Sequence, residues 1–344
     1  MVETKPRVLD AARNWTGEDA PAWLRRGMLF FALWIVVGGY SDTWAHHHYR
    51  LTSIFTPFHG VIFTGLICEG IFLAWTLRRL GATPTAWRQA IPRGYGLAIA
   101  GYVLAMVGGA LDLTWHFFLG IDQGFGSVTS PTHIMIGAGT ALMVTGPLRE
   151  AWAGTAGKAT LAALLSATLT LAMIFFFDEA THPLLIQWSS NLYPGGLPPD
   201  SAEQIGTVEI ILWAVLITAF VLPLVLRFEI PFGGLTFLLG ATGAMTTLIV
   251  APHPVIVVGL IGGLVADEMN RALKPTRERR AHVRAFAFFV PVVMTVTYFF
   301  ILSVAGGVWW PVNIWAGCIT ASGIAGLLVS LLVLPVLPAQ RPAA

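Results

Sequence analysis

The sequence predicts an all-α fold: a polytopic membrane helix bundle of about ten spans, built from repeated two-helix hairpins. Composition is the first reason. Of 344 residues, 56% are hydrophobic and only 11% charged, with mean hydropathy +0.72, whereas soluble domains average about 25% charged. Second, ten apolar runs approach the roughly twenty residues needed to cross a hydrocarbon core of about 30 Å. They lie near 24–45, 54–77, 93–118, 131–149, 158–181, 205–226, 231–251, 254–272, 283–304 and 310–337. Third, the basic residues Arg25/Arg26, Arg78/Arg79/Arg88/Arg93, Arg149/Lys158, Arg227, Lys274/Arg277/Arg279/Arg280/Arg284 and Arg341 fall at alternate ends of these runs. The positive-inside rule makes those ends cytoplasmic, as are both termini. A multi-pass protein of the cytoplasmic (inner) membrane is expected, with Arg50 the exception among outer loops almost without Lys or Arg.

Taken in order, residues 1–22 mix acids and bases without the apolar stretch of a signal peptide, so they read as a cytoplasmic segment and insertion relies on the first span. The first hairpin, near 24–77, ends its first span on Asp42 and His46 and opens its second with Thr56-Pro57-Phe58-His59. A second hairpin, near 93–149, repeats the pattern with Asp112 and His116, then Ser130-Pro131-Thr132-His133. Proline at a helix start breaks no hydrogen bond and fixes the chain direction, so each following histidine is held in the first turn. The third hairpin, near 158–226, keeps Asp178-Glu179-Ala180-Thr181-His182 but has no Pro-x-His start, only Glu209 near the same end. Ala251-Pro252-His253-Pro254 resembles that missing start, which makes His253 a candidate to serve the third unit in space. The starting aspartates are seventy and then sixty-six residues apart, the regularity expected of a parallel internal repeat. The remaining runs complete one integral domain, 23–338, followed by a cytoplasmic tail, 339–344. Glycines such as Gly137/Gly139 and Gly259/Gly262/Gly263 permit close helix approach. The 183–204 loop is long enough to be either a lid or a connector.

An aspartate and a histidine four residues apart share one helix face and can reach one atom. With the histidine that opens the next span, each of the first two hairpins offers one carboxylate and two imidazoles where two helices meet. Asp42, His46 and His59, and Asp112, His116 and His133, are therefore candidate metal ligands; Asp178, Glu179, His182 and His253 are a candidate third site or groups that orient the imidazoles. Eight of the nine histidines fall on the outer side and only His282 in a cytoplasmic loop. The plainer alternative is an Asp–His hydrogen bond that locks two helices without metal. Glu69, well inside the second span, reads as a proton-relay group or a helix-to-helix hydrogen bonder. Trp44, Trp115, Trp188, Trp309 and Trp310 read as interfacial belt residues, and Phe175–Phe177 with Phe117 as core. Both cysteines, Cys68 and Cys318, lie inside expected spans, which argues against a disulfide or thiolate site. A net charge of +2 argues against nucleic acid as a partner. Two histidines and a carboxylate suit non-haem iron, copper or zinc; copper leads by divalent affinity, in one or two centres.

Asp112-Leu113-Thr114-Trp115-His116 and Phe55-Thr56-Pro57-Phe58-His59 resemble the motifs of the C subunit of the copper-dependent particulate methane and ammonia monooxygenases. That subunit commonly carries Asp-x-Thr-Trp-His followed by Phe-Thr-Pro-Ser-His. The resemblance covers about forty residues per unit, and the first unit departs from it in reading Asp42-Thr43-Trp44-Ala45-His46. It implies copper on Asp42, His46 and His59, and a second site at Asp112, His116 and His133. It further implies a monooxygenase-like oxidoreductase acting on a small apolar substrate, with an electron donor or partner subunits. Three other classes stay open from the residues alone: a copper or zinc permease or metal-delivery protein, a haem-b electron-transfer subunit, and a structural subunit.

Overall fold

The computed structural model describes residues 19–335 except 50–52, 54, 84–89, 121–125, 156, 194 and 251–252. Residues 1–18 of the N-terminal segment, Arg50, Arg88, Pro194, Ala251, Pro252 and the 339–344 tail therefore lie outside the described residues. The fold is all-helical apart from one two-residue parallel strand pair, Gly157–Lys158 with Phe228–Glu229. Each of the ten apolar runs carries a helix. In chain order the helices of eight residues or more are α1 Ala22–His48, α2 Pro57–Arg79, α3 Gly96–Leu119, α4 Pro131–Val144, α5 Gly146–Ala153, α6 Leu161–Phe177, α7 Pro199–Arg227, α8 Gly234–Thr247, α9 Ile256–Leu273, α10 Arg280–Ala305 and α11 Val312–Val333.

Among the described residues six helices, α1, α2, α3, α7, α10 and α11, are long and apolar enough to cross a membrane. The other four expected runs carry shorter or less apolar helices. α4 and α8 have 14 residues each, about 21 Å at 1.5 Å per residue, and α6 has 17. α4 is short because Gly146 and Pro147 interrupt the run expected at 131–149 and start α5 in its place. Large side chains facing outward match a lipid-bilayer environment: Phe117 is 82% exposed and Leu332 likewise 82%, a surface that water would not tolerate in quantity.

By packing, the chain forms two compact units, residues 1–155 with 160–173, and 156–159 with 174–344. In unit one α1 packs on α2, α3 packs on α4, and α1 also packs on α4. The inward face of α1 carries Leu24, Met28, Ala32 and Ile35, the spacing of one helical stripe. Ile35, Leu66, Ala105 and Met143 meet in a core drawn from four helices. A second cluster of Leu24, Met28, Leu73, Tyr95 and Ala98 fills the end that carries the start of α1. Helices α3 and α4 nearly touch at backbone level: a Cβ on Gly139 would lie 2.5 Å from the Gly101 carbonyl oxygen and 2.6 Å from the Ala105 nitrogen.

In unit two α8 packs on α9, and α10 packs on α9 and α11. Glycines again set the approach, since a Cβ on Gly259 would run into the Leu239 carbonyl oxygen. The start of α8 is capped by the buried Asp267 carboxylate, which accepts from the Gly233, Leu235 and Thr236 amides at 3.0, 3.2 and 2.9 Å, a favourable place for an anion. Trp188 and Trp310 are 5% and 3% exposed, so these two are core residues and not belt residues. The Trp188 carbonyl accepts from Trp309 Nε1 at 3.0 Å, and the Ser189 carbonyl accepts from the Trp309 amide at 3.0 Å. Leu184, Leu185, Ser189 and Ser190 are buried as well; this part of the 183–204 loop is a tied-down connector and not a lid.

Candidate metal centre

Both expected triads form, and both lie in unit one at the end where α1 and α3 finish and α2 and α4 begin. Asp42 and His46 sit one turn apart on the last turns of α1, and Asp112 and His116 do the same on α3. The partner histidines occupy equivalent places. Thr56 and Ser130 are the N-cap residues of α2 and α4, Pro57 and Pro131 follow at the first helical position, and the hydroxyls accept from the His59 and His133 amides at 3.1 and 3.4 Å. The same hydroxyls also touch the rings, Thr56 Oγ1 lying 2.9 Å from His59 Nδ1 and Ser130 Oγ 2.5 Å from His133 Nδ1. One cap residue therefore fixes both the helix start and the imidazole.

In the first triad Asp42 Oδ2 lies 3.6 Å from His46 Nε2, and Oδ1 lies 3.2 Å from His59 Nδ1. In the second, Asp112 Oδ2 is 3.2 Å from His116 Nε2 and Oδ1 is 3.5 Å from His133 Nδ1. Metal–nitrogen and metal–oxygen bonds of about 2.1 Å in a tetrahedral site hold neighbouring donors about 3.4 Å apart. The two Nε2 separations, 3.6 and 3.2 Å, bracket that edge length, while His59 Nδ1 and His133 Nδ1 are shared between the aspartate and the cap hydroxyl. In each triad one donor atom per residue falls within 4.8 Å of the others. These are the two such groups of three among the described residues.

Two polar atoms test whether a cation fits. His116 Nδ1 lies 2.8 Å from the Gly120 carbonyl oxygen, and a carbonyl only accepts, so Nδ1 carries the proton. The neutral ring then turns the Nε2 lone pair toward the Asp112 carboxylate, an acceptor against an acceptor, and only a shared cation or a second ring proton relieves that contact. A ring nitrogen donating to a carbonyl while the other faces the ligand cavity is the usual arrangement of metal-bound histidine. In the first triad Asp42 Oδ1 is buried without a hydrogen-bond partner although His59 Nδ1 is near. Leaving such an oxygen bare is costly, and a metal satisfies it. Asp112 is oriented further by Thr132, whose hydroxyl donates to Oδ1 at 2.6 Å.

The triads are close enough for their charges to interact: Asp42 senses Asp112, and His59 senses His116, His133 and Asp112. The donor set is one carboxylate and two imidazoles, doubled, with no thiolate.

The candidate third site is built differently. Asp178, Glu179 and His182 belong to unit two, beyond the end of α6, and form no group of three donors with each other or with His253. Asp178 is hydrogen-bonded to the Glu209 carboxyl, and burial together with that neighbour raises its pKa. Burial pushes Glu179 up to about 8 and holds His182 down at about 3. His182 Nδ1 accepts from the Leu184 amide at 3.1 Å, which leaves the proton on Nε2; that atom is buried without a partner. The ring lies between Phe175 and Trp213, at centroid distances of 4.5 and 6.0 Å. His253 Nδ1 is likewise turned to its own backbone, accepting from the Val255 amide at 3.3 Å.

Sequence reasoning overlooked Thr56, Ser130, Thr132 and the Gly120 carbonyl. The readable signal was the hydroxyl residue immediately before each proline. No protein-family model matches this chain, and neither a curated protein nor a solved structure is similar to it.

Proposed function

We propose that the chain is a membrane metalloprotein that holds a transition-metal dication in each Asp/His/His triad, copper being the ion favoured by the Irving–Williams order. The carrying observation is the grouping: one carboxylate and two imidazoles with a donor atom each within 4.8 Å of one another, repeated on two hairpins. The bare Asp42 oxygen and the His116 tautomer support the same reading. In it the ten apolar runs form a bundle in the inner membrane with the triads at the outer face, as the distribution of Lys and Arg favours. The activity we assign is that of an oxidoreductase acting on a small apolar substrate, supplied with electrons by a donor or partner subunit.

Copper held by Asp42, His46 and His59, or by Asp112, His116 and His133, would supply one-electron redox chemistry at that end of the helices. The chain's own contribution is positional. Asp42 and Asp112 supply negative charge to offset the dication, the cap hydroxyls of Thr56 and Ser130 hold the ring planes, and Thr132 pins the Asp112 carboxylate. Exposed Phe117 and Phe118 beside His116 give an apolar substrate a lipid-side approach to that end of α3.

Elemental analysis of the detergent-purified chain beside its His59→Ala and His133→Ala variants tests the proposal. About two metal equivalents in the wild type and about one in each variant are expected. A wild type without stoichiometric metal, or variants that keep both equivalents, would contradict it.

A further inference from the structure

Glu69 lies on α2 ten residues past His59, about 15 Å along the helix axis. It is 0% exposed, and neither carboxyl oxygen has a hydrogen-bond partner. An ionisable side chain at membrane depth marks ion or proton traffic by default. Its surroundings leave few other groups to answer to. Between Arg26 and Asp42 α1 has no ionisable residue except Tyr40, α4 has none beyond His133, α3 offers only Tyr102 before Asp112, and α2 itself adds Cys68. The Tyr40 hydroxyl is committed to the Ala172 carbonyl at 2.7 Å. Tyr102 is near enough to sense the Glu69 charge, and its hydroxyl packs against Gly70.

The buried face of α2 runs from His59 through Leu66, Glu69 and Leu73 to Thr76. Thr76 Oγ1 is a second buried polar atom without a partner. It borders a small cavity shared with Leu73, Tyr95 and Ala98. Beyond it the Tyr95 hydroxyl donates to Glu150 Oε2 at 3.0 Å, while Glu150 Oε1 accepts from Arg25 at 3.0 Å and from the Ala20 amide at 2.8 Å. Polar groups thus stand at successive depths of unit one, from the triads to its opposite end.

We propose that Glu69 is a proton carrier coupled to the triads. As a neutral acid it breaks its O–H bond when they take up a dication, the proton passing by way of water toward the Thr76–Tyr95–Glu150 end, and it regains the proton when the metal leaves. The inference rests on the metal reading above. Its cause is electrostatic: a dication about 15 Å away across an apolar interior favours the carboxylate, and burial favours the neutral acid when the triads are empty.

The test is calorimetric titration of the full-length chain in detergent with zinc, a redox-silent dication, in two buffers of different ionisation enthalpy. Wild type, Glu69→Gln and Glu69→Asp are compared. Equal metal stoichiometry is expected, with up to one fewer proton released per chain by the Gln variant and release restored by Asp. Equal proton release overturns the proposal, and so does loss of a metal equivalent in the Gln variant, which would make Glu69 a ligand. A wild type that binds no zinc removes the metal reading and this one together, and the stoichiometry identifies that case. Should the Gln variant fail to fold, infrared difference spectra of the wild type decide: loss of a protonated-carboxyl band on zinc binding supports the proposal, and its persistence contradicts it.

Discussion

At His116 the tautomer decides what the neighbouring carboxylate can do. With Nδ1–H given to Gly120, the Nε2 lone pair and the Asp112 oxygen at 3.2 Å both need a positive partner. Thr132 acts one step further out, through its 2.6 Å hydrogen bond to Asp112. Removing such an orienting group costs about 10–100-fold in metal affinity. Thr132→Val should therefore weaken one of two metal equivalents by that factor in a chelator-competition titration and leave the other unchanged; equal affinity at both would remove Thr132 from the site. The grouping of the six triad residues was legible in the sequence because Asp-x-x-x-His and Pro-x-His fix which helix face and which turn each residue occupies. Thr132 was not legible, since only the packing of α3 on α4 brings its hydroxyl to Asp112.

Between elements, the triads depend on helix pairs that meet almost backbone to backbone. A Cβ on Gly139 or on Gly101 would fall 2.5 Å from a carbonyl oxygen of the facing helix, whereas Gly109, also on α3, has nothing within 4 Å. Gly139→Ala should destabilise by about 1–3 kcal/mol, lower the thermal midpoint in detergent, and loosen the second triad, which spans these two helices. Gly109→Ala should leave both unchanged, and a similar loss in that variant would contradict the packing account. The repeat was readable in the first two hairpins because each closes on its own pair of helices. The third unit assembles no comparable triad among the described residues: its segment is divided at residue 173 between the two units, and His182 is turned to its own turn by the Leu184 amide. An Asp-x-x-x-His spacing alone does not report where the next helix goes.

At the scale of the whole molecule, the buried ionisable groups of unit two link its stability to pH. In unit two Glu179, raised by burial to about 8, holds in the folded chain a proton that the unfolded chain releases near its ordinary value. Its contribution to stability is complete below that ordinary value and is lost as pH rises through about 8. His182 has the opposite sign: lowered to about 3, it contributes fully above its ordinary value and loses that contribution as pH falls through about 3. Glu179→Gln should therefore flatten the fall in thermal midpoint between about pH 5 and pH 8, and an unchanged fall would assign the alkaline loss to other groups. The helical membrane character was plain from composition, while the length of α4 was not, because hydropathy does not register the break at Gly146–Pro147 that ends it.

The most direct test of the account is X-ray absorption at the metal edge of the copper-loaded chain. Two imidazoles and a carboxylate per metal are expected, with oxygen and nitrogen donors near 2.0–2.2 Å, no sulfur scattering, and loss of imidazole scattering together with bound copper in Asp42→Ala and Asp112→Ala. A sulfur shell, or a copper environment that both substitutions leave unchanged, would contradict it.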